Sequence, residues 1–62
     1  MITRTEVDKE VAALIEVGVF TKLEAVRVLR EATQTLICEA EAAGLAVTDF
    51  VDMCADLAAV RS

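Results

Sequence analysis

Apolar residues in the middle of the chain recur with the period of an α-helix. The longest uninterrupted run of that pattern spans residues 21–43, TKLEAVRVLREATQTLICEAEAA. At about 100° per residue, Val26, Leu29, Thr33, Leu36, Ile37 and Ala40 fall on one stripe, with Leu23 at its edge. A second stripe of smaller residues, Ala25, Val28, Ala32 and Ala43, lies beside it. Together they cover roughly 200° of the helix, wider than the roughly 100° that a one-sided surface helix needs. A single long helix with neighbours on two sides is therefore expected. Thr21 and Glu24 have the spacing of a capping box, and Gly44 can take the left-handed conformation just past the end. Glu24, Arg27, Glu31, Gln34 and Cys38 occupy the remaining strip, where the opposite charges give ordinary helix support.

Two shorter amphipathic segments flank this one. The first is predicted over 4–17: Thr3 and Glu6 form a second capping box, Ile2 and Val7 are spaced for a hydrophobic staple, and Val7, Val11, Leu14 and Gly18 repeat at helical spacing. Gly18 ends it, with Val19 turning back toward Leu14. Phe20 is placed to plug the corner between the first two helices. The last helix is predicted over 49–60 after Thr48, with Phe50, Met53, Cys54, Leu57 and Val60 on its main stripe and Val51, Ala55 and Ala58 widening it.

The fold class that follows is all-α: three helices in one domain, a helical hairpin and a return helix. At 1.5 Å per residue the middle helix would be ~34 Å long and the outer two ~20 Å each. Each outer helix then covers half of the long one and leaves a second apolar stripe bare. Composition sharpens that picture. The chain has 62 residues, 56% of them hydrophobic, and a mean hydropathy of +0.56. Domains this small bury only about 60% of their unfolded surface and usually need a staple or a partner. A homodimeric bundle is expected, with Ala25, Val28, Ala32, Val51, Ala55 and Ala58 as the self-association face. A compact monomeric three-helix bundle is the competing arrangement.

Charge argues against several classes of partner. The net charge is −5 and the pI about 4.4, which disfavours nonspecific binding to nucleic acid or to an anionic membrane. No segment approaches the ~20 apolar residues of a membrane span, and no secretory signal pattern is present, so cytoplasm with reduced thiols is the expected location. With no His and two Cys, neither a metal site nor a cofactor is implied. Catalysis needs a titrating group beside a second group in a pocket, and no such constellation can be read here, so no catalytic residue is assigned. Asp49, Asp52 and Asp56 line one strip of the last helix. They could meet a basic protein partner, although Asp49 and Asp52 also suit a first helical turn. The expected role is a non-catalytic interaction or regulatory module, of the inhibitor or antitoxin-like kind found in bacteria and mobile elements.

Residues 14–27, LIEVGVFTKLEAVR, resemble the helix–turn–helix junction of ribbon–helix–helix proteins, a family that includes antitoxins: a Gly, an aromatic, a Thr cap, then Glu and Arg. The resemblance implies a dimer that binds DNA, with Thr21 and Lys22 facing a phosphate at the start of the second helix. It covers about a quarter of the chain. Leu23 stands where that family often has a second serine, and the residues before Thr3 are too few for its DNA-reading strand.

Overall fold

The computed structural model describes residues 1–61, with the backbone alone at Arg61. Among these described residues are four helices rather than three: α1 Arg4–Glu16, α2 Lys22–Glu31, α3 Gln34–Ala42 and α4 Val47–Arg61. The long helix expected over 21–43 is broken in its middle. The last α2 bond runs from the Ala32 amide to the Val28 carbonyl at 2.9 Å, and the next amide, Thr33, donates to the Glu31 carbonyl at 2.7 Å instead. Ala32 has φ −74° and ψ 62°, the geometry of an inverse γ-turn. Thr33 then caps α3, its hydroxyl accepting from the Leu36 amide at 3.3 Å. A ~34 Å rod would also exceed the longest dimension of the chain, 29 Å.

The reason for the break lies in the core. Val28 and Ile37 are both buried in one apolar cluster with Val7, Val11, Phe50, Val51 and Cys54. Nine residues apart on a straight helix, they would point in opposite directions. Two helices set at an angle bring both inward. The 200° arc read from the sequence is thus two narrower faces on two helices, and not one helix wedged between two neighbours.

Local signals set the other boundaries. Thr21 and Glu24 make the full capping box, with the Thr21 hydroxyl accepting from the Glu24 amide at 3.2 Å and Glu24 Oε1 accepting from the Thr21 amide at 3.3 Å. The Thr3 hydroxyl accepts from the Glu6 amide at 3.2 Å, and the staple residues Ile2 and Val7 are both buried. Gly18 (φ 84°) and Gly44 (φ 75°) supply the left-handed residue that ends α1 and α3. Val19 donates to the Leu14 carbonyl at 2.9 Å and Leu45 to that of Ala40 at 3.0 Å, closing the same C-terminal motif twice. The last helix starts two residues earlier than expected, so Thr48 lies in its first turn and does not precede it.

Helices α1, α2 and α4 pack against one another, most extensively α2 against α4. The latter two run in opposite senses, since Cys54 lies near Glu31 while Ala58 and Ala59 lie beside Phe20 and Glu24. Helix α3 closes one end through Ile37 and Ala40, and Glu41 Oε2 accepts from the Ile2 amide at 2.6 Å. The radius of gyration, 10.6 Å, equals the ~10.6 Å expected for a closed domain of this length. The accessible surface, 4089 Å², is close to the ~3,900 Å² of a compact monomer of this mass.

Candidate functional site

The placement of the apolar residues of α2 is the main surprise of the surface. Ala25, Val28 and Ala32, expected to face a second copy, are buried inside the single chain. Val51 and Ala58 are buried with them across α4, and Ala55 is half-buried at the edge of the same contact. The structure therefore does bring these residues together, as the interior of one chain. The other stripe is divided: Leu23 is 62% and Val26 50% exposed, whereas Leu29 and Leu36 pack against the core and Ile37 and Ala40 are buried in it. Val60, assigned to the main stripe of the last helix, is also exposed, and the core-facing residues of that helix are Phe50, Val51, Cys54 and Ala58.

Leu23 and Val26 form a short aliphatic ridge along the outside of α2. Lys22, Arg27 and Arg30 stand around it, all exposed. Half of the six cations of the chain thus lie within nine residues of an otherwise acidic protein. The corner before α2 adds exposed Val17 and Val19. Such a group of aliphatic side chains does nothing for a core that is already closed.

Beside the ridge lies a cleft between α2 and α4, of about 240 Å³, lined by Phe20, Glu24, Arg27, Val28, Ala55, Ala58 and Ala59. Its wall on α4 carries only alanines, Ala55, Ala58 and Ala59, and Phe20, from the corner before α2, joins the lining. Ligand pockets for metabolites run from about 300 to 1,000 Å³, so this cleft suits a side chain better than a small molecule.

The acidic strip is where the sequence put it. Asp49, Asp52 and Asp56 are all exposed on α4. Asp52 precedes Ala55 by three residues and Ala59 by seven, and Asp56 precedes Ala59 by three. Asp52 thus stands beside Ala59, whereas Asp56 is turned away from the buried Cys54 and Ala58, and neither is among the residues that line the cleft. Thr21 and Lys22 are exposed at the start of α2, but the amide of Thr21 is already taken by the Glu24 carboxylate. A phosphate approaching there would meet that carboxylate. No strand precedes α1 among the described residues.

The cysteines differ sharply. Cys38 is exposed and accepts a weak hydrogen bond from Gln34 Nε2 at 3.5 Å. Cys54 is fully buried, and its thiol is raised to about 11, first by burial and then by the Glu31 carboxylate, with Arg4 acting in the other direction. A thiol held neutral in this way is a packing group and a poor nucleophile. Among the described residues no three carboxylates or thiols converge as metal ligands, and no helix is long and apolar enough to cross a membrane. No protein-family model, curated protein or solved structure matches the chain.

Proposed function

We propose that this chain is a non-catalytic protein–protein interaction or regulatory module, an inhibitor or antitoxin-like factor that works by occupying a partner's surface. One observation carries the reading: α2 closes the core with Ala25, Val28 and Ala32, yet still projects Leu23 and Val26 into solvent between Lys22, Arg27 and Arg30. Apolar residues ringed by charge are the composition of an interaction patch. Photocrosslinking from a benzophenone residue at Leu23 in the native host should give one discrete protein adduct. The same probe at Ala13, on the exposed side of α1, should not. Equal, diffuse labelling from both positions would reject the reading.

A ribbon–helix–helix-like nucleic-acid regulator is the second reading, with Thr21 and Lys22 on a phosphate. Its support is the concentration of cations on α2. It requires binding to duplex DNA whose affinity falls steeply between 50 and 200 mM salt. Fluorescence anisotropy that shows no binding at 50 mM salt would eliminate it.

A further inference from the structure

We infer that α3 is a hinged lid: the start of α1 latches it at both ends, and its release straightens α2 and α3 into one helix over residues 22–42. The latch has two points. Arg4 Nη1 donates to the Ala32 carbonyl, just before α3, and the Ile2 amide donates to Glu41 Oε2 at 2.6 Å, in the last turn of α3. Both donors are fixed to α1, because Thr3 caps that helix and Ile2 is buried with its staple partner Val7.

The hinge lies at Ala32 and Thr33, and its bend is imposed from a distance. Residues 30–35 hold no Gly or Pro, and Ala is the best helix former. Once released, the amides of residues 33–36 can pair with the carbonyls of residues 29–32, as a straight helix requires. Those bonds replace the one from the Thr33 amide to Glu31 and the Thr33 cap on Leu36. A helix as short as α3 is unstable by itself in water, so unlatched it gains by continuing α2. The closed form prevails because Ile37 and Ala40 enter the core. On the straight helix Ile37 would lie about 140° round from Ala32. The latch therefore sets whether Ile37 is enclosed or joins Leu23 and Val26 on the outside. This hinge operates whether or not α2 meets a partner.

Chemical-exchange saturation transfer at the Cα carbons, which detects sparsely populated conformers, tests it. Ala32 and Thr33, with ψ 62° and 162°, should show a minor state with helical shifts, while Ile37 and Ala40 stay helical in both states. Arg4→Ala and Glu41→Ala should each raise the minor population about five-fold or more. Ala12→Gly, at an exposed position of α1, should lower the melting temperature and leave that population unchanged, since α1 is formed in both states. Gln34→Pro should keep the fold and abolish the minor state: Pro suits the first position of α3, after a Thr33 that is already extended, but it breaks a continuous helix. Absence of the minor state from the wild type and from both latch variants overturns the inference. So does a minor state in which Ile37 and Ala40 take coil shifts, which is local unfolding. A minor state that persists in Gln34→Pro, or that Ala12→Gly raises as strongly as the latch variants do, overturns it equally.

Discussion

The guanidinium of Arg4, in the first turn of α1, donates through Nη1 to the carbonyl of Ala32, where α2 stops. Ala32 is completely buried, and the γ-turn at Ala32 takes its carbonyl out of the helical ladder. A bond from a charged donor therefore satisfies an acceptor that would otherwise be stranded. Arg4 also approaches Asp8 Oδ1 at 3.6 Å, but both side chains are about half exposed, and such a pair contributes little. Arg4→Ala should cost about 1–3 kcal/mol, and Asp8→Ala less than about 0.5 kcal/mol. Urea denaturation followed by circular dichroism measures both. Equal effects would mean that the ion pair, and not the carbonyl contact, is what Arg4 provides.

Val28 and Leu23 lie five residues apart on α2 and should answer opposite to their sequence-based assignments. Val28 is 1% exposed at the centre of the core. Val28→Glu would bury an uncompensated carboxylate and should cost more than about 3 kcal/mol, enough to unfold much of a domain this small. Leu23→Glu should change stability by no more than about 0.5 kcal/mol. Thermal melts of the two variants decide it. A well-folded Val28→Glu chain would mean that α2 is rotated relative to the packing described above.

Gly18 and Gly44 should each lose about 1 kcal/mol on replacement by Ala, for a conformational reason alone. A Cβ built at either position meets nothing within 4 Å, so no steric clash contributes. The cost comes from holding a side chain at φ 84° or 75°. Asn, which tolerates the left-handed region, should lose less than Ala at both sites. An Ala variant as stable as the parent would show that the helix ends differently in solution.

Cys54 makes stability depend on pH in the alkaline range. Its thiol rises from 9.0 to about 11 on folding, so the unfolded chain loses this proton first. The contribution is complete below pH 9 and disappears as pH rises through 11, by up to about 3 kcal/mol. The melting temperature should therefore fall between pH 9 and 11, and more shallowly in Cys54→Ala after allowance for the cavity. In the native protein at pH 8, Ellman's reagent should modify Cys38 rapidly and Cys54 only on unfolding. Two equally reactive thiols would contradict the burial of Cys54.

Most of the helix ends were legible in the residues because their chemistry is local. Thr3, Thr21, Gly18 and Gly44 each act on backbone groups within five residues, and such bonds form wherever the sequence places them. The all-helical class followed in the same way from the apolar period. The break between Ala32 and Thr33 was not legible. Neither residue forbids a helix, and the groups that require the turn are distant: Arg4 lies 28 residues away, and the core must receive Val28 and Ile37 from the same side. The same limit explains why Ala25, Val28 and Ala32 are enclosed on α2 while Leu23 and Val26 stay outside. Periodicity shows that Ala25, Val28 and Ala32 share a stripe, and that Leu23 and Val26 lie to one side of it, but not which stripe will be enclosed. That was settled by α4, whose Val51 and Cys54 share the core with the small side chains and leave the bulkier pair outside. Period and capping are properties of a stretch of chain, whereas enclosure depends on which distant surface arrives to complete it.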